Sequence, residues 1–350
     1  MSINIKRYII CLFGIFISVC MLIILSGCRK SEDTGVRTLR VGVVLYTQDD
    51  PFINALTDCL KQDFEAMESD TLKIIMTIRD GKDDQSAQDD VVEGIIDAGC
   101  DILCVGLVDR TAPSKIIEMA KKEDIPIIFF NREPVRVDLM KWDKIYYVGA
   151  DAQQSGVMQG EIAAAVIQGN QEVDRNGDGK IQYVLLEGEA GHQDSIIRTD
   201  SSVKTLIENG VVLEKLSYQF ADWNRAQAEN KMTQLIAQYG DDIELVLANN
   251  DEMSMGAVAA YDKLYYSTSE RPVIFGIDGL QDVLEAVQEG LVQGTVYNDK
   301  EGQAQQIANL AVDLFEENSL SQYEFKDKKY IILPYQKVDE SNVTDFLPEE

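Results

Sequence analysis

From Leu39 almost to the carboxyl terminus, two hydrophobic patterns take turns along the chain. Short, almost wholly apolar runs fall at 40–46, 72–78, 102–105 and 126–130. Between them, apolar residues recur every three or four positions, as in Ile53, Leu56, Leu60 and Phe64, or Val91, Val92, Ile95 and Ile96. The first pattern predicts strands buried on both faces and the second predicts amphipathic helices. Asp50-Pro51, Asp83-Asp84-Gln85-Ser86 and Pro113 are helix-opening signals at the right places. A second set begins at Tyr146-Tyr147-Val148-Gly149. Its strands are expected near 183–186, 211–217, 245–248, 273–277, 292–297 and 330–333. Its helices are expected to start near 153, 194, 223, 251 and 280, with a further one through Ala304, Ile307, Leu310 and Leu314. Apolar strands separated by amphipathic helices imply a parallel sheet covered on both faces. The chain is too long for one ordinary domain. Two similar doubly wound α/β lobes, with a ligand cleft between their strand ends, fit the pattern.

The first residues follow another rule. Lys6 and Arg7 precede an apolar run from Tyr8 to Leu25, the build of a secretory signal. The run is nearly long enough to span a bilayer, so an uncleaved anchor is the alternative. Leu25-Ser26-Gly27-Cys28 looks like a lipoprotein processing box, with cleavage before Cys28 and lipid on its sulfur. A signal over 1–27 and a polar tether over 28–38 follow from that reading. Either way the bulk of the chain lies outside the cytoplasm, lipid-anchored to the membrane if the box is used.

The formal net charge is −28. Removing 1–27 deletes two basic residues and no acid, giving −30. Such a surface argues against nucleic acid as a partner and repels anionic lipid, so attachment falls to the acyl group. Of six cysteines, Cys11 and Cys20 lie in the signal and Cys28 is the lipid site. Cys59, Cys100 and Cys104 are odd in number and not spaced as a disulfide framework; Cys100 and Cys104 read as small buried apolar groups.

Two stretches carry chemistry. Gly188-Glu189-Ala190-Gly191-His192-Gln193-Asp194-Ser195-Ile196-Ile197-Arg198 holds the only histidine and sits between an expected strand and helix. His192, Asp194 and Arg198 there offer a ring nitrogen, acceptors and a planar donor fork at the sheet edge where α/β proteins bind ligands. Taken alone, the same residues are also explained by an N-capping Asp and a surface i,i+4 pair. The second stretch, Asp174-Arg175-Asn176-Gly177-Asp178-Gly179-Lys180-Ile181-Gln182, has the ligand order of an EF-hand calcium loop. Position twelve is Leu185 rather than Glu, so the last carboxylate must come from elsewhere. A static Ca2+ clamp is the reading, and a plain Asp/Asn/Gly turn is the alternative.

Further motifs complete the picture. They are Leu45-Tyr46-Thr47-Gln48-Asp49-Asp50-Pro51-Phe52, Phe129-Phe130-Asn131-Arg132-Glu133-Pro134, Trp223, Ala248-Asn249-Asn250-Asp251-Glu252-Met253-Ser254-Met255-Gly256-Ala257, Phe275-Gly276-Ile277-Asp278 and Asn298-Asp299. With the two stretches above, they resemble the glucose/galactose-binding branch of the type I periplasmic binding protein family, over about 37–346. The resemblance implies two lobes joined by a hinge crossed near Ala150, Asn298 and Pro334, with lobes of 39–149 plus 299–333 and 150–298 plus 334–350. It implies a sugar pocket of Tyr46, Asp50, Phe52, Asn131, His192, Asp194, Arg198, Trp223, Asn250, Asp278 and Asn298. It implies structural Ca2+ on Asp174, Asn176, Asp178, Lys180 through its carbonyl, Gln182 and Glu244. Pro51 and Gln193 depart from the family beside the pocket.

These residue types suit a pyranose. Phe52 and Trp223 would cover its two C–H faces, while the acids, amides, Arg198 and His192 would meet the hydroxyl rim. Single residues have plainer explanations: Phe52 as core, Asn131, Asn250 and Asn298 as turn residues, Asp278 as a helix cap. The implied function is capture of glucose or galactose by a non-enzymatic, monomeric binding protein that serves an ABC transporter permease. A chemoreceptor or sensor kinase is the alternative partner. A glycoside hydrolase is a rival, since acids line the cleft. A sugar-responsive repressor is a second, but it would need a basic DNA-binding head.

Overall fold

A computed structural model describes residues 35–348. The signal over 1–27, Cys28 and most of the tether lie outside the described residues. One compact unit comprises Leu39–Met67 and the chain from Ile74 onward. A small second unit runs through Thr38 and over Glu68–Lys73; within it Arg37 N donates to Thr71 O at 2.9 Å.

Twelve strands are found among the described residues: β1 (Arg37–Leu45), β2 (Leu72–Asp80), β3 (Ile102–Val105), β4 (Ile127–Phe130), β5 (Ile145–Ala150), β6 (Ile181–Glu187), β7 (Leu213–Phe220), β8 (Leu245–Ala248), β9 (Val273–Phe275), β10 (Gly294–Tyr297), β11 (Tyr330–Leu333) and β12 (Gln336–Asp339). They form two six-stranded sheets, ordered β11-β5-β4-β3-β1-β2 and β12-β10-β9-β8-β6-β7. The two orders are copies of each other, so each lobe reverses its winding at the same place, between β1 and β3 and between β6 and β8. Ligands bind outside the carboxyl ends of strands at such switch points. The interior pairs are parallel, for example Val43 with Cys104 and Val184 with Val246. β12 runs antiparallel to β10. Strand β12 was not expected, because Gln336-Lys337-Val338-Asp339 is mostly polar and exposed, as an edge strand allows.

The apolar runs behave as their composition dictates. β3, β4 and β8 are buried at every position, while the edge strands β2 and β7 are half-buried or exposed almost throughout. The helix Pro51–Met67 buries Phe52, Ile53, Leu56, Leu60 and Phe64 and packs on the helix Lys300–Glu316. Cys59, Cys100 and Cys104 are free thiols; Cys104 is buried as expected, whereas Cys100, like Cys59, is half-buried, and desolvation pushes the Cys100 thiol up to about 11.

One close packing fixes the helix that carries Arg198. The helix Ala152–Gly169 lies against the helix Gln193–Glu208. A Cβ on Gly156 would stand 2.7 Å from the Arg198 carbonyl, and one on Gly160 would stand 2.6 Å from that of Ser202. The two backbones therefore touch, and no larger residue fits without moving the helix that carries Arg198. Gly156→Val is expected to cost about 1–3 kcal/mol of stability by overpacking. Urea denaturation checks this, and an unchanged midpoint would contradict the packing described.

Candidate ligand-binding site

Ten of the eleven expected pocket residues line one cavity: Tyr46, Asp50, Phe52, Asn131, His192, Asp194, Arg198, Trp223, Asn250 and Asp278. The space enclosed between them is small, about 40 Å³. The eleventh, Asn298, stands behind the wall, its Nδ2 3.4 Å from Asp278 Oδ1 and its Oδ1 accepting from Gln303 at 2.7 Å. Arg132 also lines the cavity, and sequence reasoning had not singled it out.

Each side chain is set by the element that carries it. Asp50 Oδ1 accepts the Phe52 and Ile53 N–H groups at 2.8 and 3.2 Å, capping the helix Pro51–Met67, and Asp50 Oδ2 accepts the Tyr46 hydroxyl. Asn250 caps the helix Asp251–Lys263 through Met253 N at 3.0 Å, and donates to Trp223 O at 3.2 Å. The cap of the helix Gln193–Glu208 is His192 rather than Asp194: its Nδ1 accepts the Asp194 N–H at 3.1 Å. That bond places the ring proton on Nε2, so the imidazole offers one donor. Phe52 is both core and lining, 4% exposed.

Arg198 is buried, which excludes a solvated surface pair. Its Nη1 donates to Asn249 O at 2.7 Å and its Nη2 to the Tyr335 hydroxyl at 3.1 Å, with Asp278 Oδ1 at 3.7 Å. Its Nε has no hydrogen-bond partner among the described residues. Burial alone would lower the guanidinium pKa, but Tyr335, Asp278 and Asp194 outweigh it and raise it. Burial also pushes Asp194 and Asp278 up, against the pull of Arg198. The result is a small space with a fixed cation, two reluctant carboxylates and a neutral imidazole.

Trp223 packs edge-on to His192, ring centroids 5.3 Å apart, with the Arg198 guanidinium 5.8 Å from the indole. A Cβ on Gly188 would overlap the indole at 2.1 Å, so glycine there lets Trp223 seat. Three lining residues have positive φ: Asn131 at 60°, Trp223 at 61° and Asp278 at 129°. Backbone strain of this kind concentrates at functional sites.

Arg132 ties the two lobes. Its guanidinium lies 3.8 Å from the centre of the Tyr46 ring, Nη1 donates to Val108 O at 2.8 Å, and Nη2 meets Glu189 Oε1 at 2.5 Å. Arg132 follows β4 of one sheet and Glu189 follows β6 of the other, so this bond spans the cleft.

The loop 174–182 gathers oxygens beside a buried carboxylate. Glu244, 1% exposed, accepts Arg175 N at 2.6 Å and Gln182 N at 3.1 Å. Asp174 accepts Asp178 N and Gly179 N at 3.2 and 2.9 Å; Gln182 accepts from Asn176 and donates to Asp178. No group of three or more His, Cys, Asp and Glu side chains gathers as a metal site among the described residues. The acids therefore suit a hard cation only with the Asn176 and Gln182 amides and a carbonyl joining them. That all-oxygen donor set is the one calcium takes.

A family model for a periplasmic binding protein domain matches residues 41–319. The chain belongs to the periplasmic binding protein family. Among its relatives, the D-galactose/methyl-galactoside binding periplasmic protein MglB of Haemophilus influenzae is 35% identical, covering 88% of this chain and 92% of that protein. The ribose import binding protein RbsB of Bacillus subtilis is 26% identical, covering 81% and 84%. A solved ABC transporter solute binding protein of Bacillus halodurans with bound myo-inositol is 27% identical with a TM-score of 0.72, covering 88% and 96%. This periplasmic binding protein thus has the type I fold of two parallel-sheet lobes, and its family places it outside the cytoplasm.

Burial and the charges of Arg132, Arg198 and Arg110 lower the His192 pKa to about 3. The folded protein keeps this ring neutral while the unfolded chain protonates it near the ordinary value of about 6.5. Its contribution to stability is whole above that value and is lost as pH falls toward the folded pKa. The resonances of this one histidine are expected to stay constant in NMR titration from pH 8 to 5. A midpoint near the ordinary value would refute the buried, neutral ring.

Proposed function

We propose that this protein captures a hexose, glucose or galactose, between its two lobes and delivers it to an ABC transporter permease. The observation that carries the reading is the single cavity holding Phe52, Trp223, three carboxylates, Asn131, His192 and Arg198. Two aromatic side chains offer apolar cover for the C–H faces of a pyranose. Asp50, Asp194 and Asp278 accept from hydroxyls; Arg198 Nε and His192 Nε2 donate; Asn131 does both. The bonds to charged partners are the stronger ones. The 35% identical relative from Haemophilus influenzae is a D-galactose/methyl-galactoside binding protein, which supports the choice of sugar.

Sugar contacts from both lobes would favour the closed form over an open one, and the Arg132–Glu189 bond would add to that preference. Lipid on Cys28 would keep the loaded protein near the membrane. A structural Ca2+ would be held by Asp174, Asn176, Asp178, Gln182, Glu244 and the Lys180 carbonyl, where it would pin the loop to Glu244 at the base of β8.

Calorimetric titration with glucose, galactose, ribose and xylose tests the reading. Binding of a hexose with a weaker or absent pentose response is expected, and release of product from galactosides or glucosides would overturn it. Trp223→Ala is expected to weaken hexose binding by at least tenfold, about 1.4 kcal/mol; an unchanged dissociation constant would count against the stacking role. Chelation is expected to lower the melting temperature of the wild type, because a ligand that binds only the folded state stabilises it. In Glu244→Gln that drop should shrink. A wild-type melting curve indifferent to chelator would rule out calcium here.

A further inference from the structure

Asp278 occupies an unusual backbone conformation. Its φ of 129° lies in a region that glycine alone adopts freely, and Gly279 follows at 69°. Such a turn persists only when its surroundings over-determine it. From one side it is pinned to β10: Asp278 N donates to Val296 O at 2.8 Å and Asn298 N to Asp278 O at 3.1 Å. From the other side the support is a single carboxylate.

That carboxylate belongs to Asp251, the first residue of the helix Asp251–Lys263 and 0% exposed. Its Oδ2 accepts Leu280 N at 2.8 Å and its Oδ1 accepts the Thr295 hydroxyl at 2.6 Å. The Gly279 amide bonds to it as well. A Cβ on Gly276 would stand 2.1 Å from Asp251 Oδ1, so the chain passes directly over it. Asp251 is not among the residues lining the cavity. Burying an acid where an apolar side chain would fill the space is costly unless its hydrogen bonds are needed.

We infer that Asp251 is a positioning residue for ligand capture: it braces the strained 278–280 turn, and so aims Asp278 into the cleft. The inference rests on the reading that this cleft binds a sugar. Burial pushes the Asp251 carboxyl up to about 7, against the pull of its bonds to Thr295, Leu280 and Gly279 and with Asp282 adding to the rise. In Asp251→Asn, the new amide nitrogen faces either the Leu280 N–H, which then loses its acceptor, or the Thr295 hydroxyl, which must turn round to accept; in both cases the charge-assisted bonds of the carboxylate are lost.

A double-mutant cycle tests this with Asp251→Asn, Asp278→Asn and the pair, measured by calorimetry with the hexose that the wild type binds. Asp251→Asn is expected to weaken binding by about tenfold or more, and by less than about twofold once Asp278 is already Asn. A wild-type dissociation constant in Asp251→Asn, or a loss of the same size in both backgrounds, would overturn the inference. Amide hydrogen exchange on the sugar-free protein gives a second readout. Leu280 and Gly279 are expected to exchange faster in Asp251→Asn while the other lobe is unaffected; unchanged exchange would overturn the brace. If no sugar binds the wild type, the functional reading fails and the exchange result still decides the inference. Should Asp251→Asn not fold, Thr295→Val removes one bond of the same brace and is read the same way.

Discussion

A guanidinium taken out of water organises the second lobe. Arg198 is reached by the Asn249 carbonyl at the end of β8, by the Tyr335 hydroxyl between β11 and β12, and by Asp278 beyond β9. A buried cation without such acceptors would be prohibitively costly, and its planar fork fixes where each must stand. The helix Gln193–Glu208, the strand ends and the 278–280 turn are thereby registered to one another at the cavity. The Gly156 and Gly160 contacts serve the same end from outside, since they set the depth of the helix that bears Arg198.

Much of this was legible in the sequence, and the rest was not for identifiable reasons. Parallel strands buried on both faces are written as unbroken apolar runs, so β3, β4, β8 and the helices between them stand out. The loop 174–182 stands out because its side-chain oxygens are spaced within nine residues; Glu244 joins it only through family resemblance, since the fold and not the local order brings it there. Arg132 follows Asn131 directly, yet nothing local says that its side chain lies on Tyr46 and reaches Glu189 of the other lobe. Tyr335 and Asn249 escaped notice for the same reason: their partner Arg198 is distant in the chain. His192 had been weighed as a ligand donor, and its second role as a helix cap shows only when the Asp194 amide is seen pointing at Nδ1.

Local roles and pocket roles coincide more than a sequence reading separates them. Asp50, Asn250 and His192 each cap a helix and also line the cavity. The sequence poses capping and ligand binding as rivals at Asp194 and Asp278, yet neither caps a helix by its side chain, and at the residues that do, a capping bond orients the remaining lone pairs or proton. Asn131, Trp223 and Asp278 contribute by another route, since their positive φ angles carry a conformational cost that the flanking hydrogen bonds offset.

The strand order has a consequence for biogenesis. Tyr147 of β5 pairs with Tyr330 of β11, so the first sheet is completed by a strand that follows the whole of β6 to β10. A chain emerging amino terminus first presents β5 as an open edge while the second sheet assembles. The second sheet also waits for β12, which follows β11, but the loop that β11 must close is the longer of the two and the costlier in entropy. Until β11 arrives, the exposed flank of β5 is the surface on which a nascent molecule would stick to its neighbours.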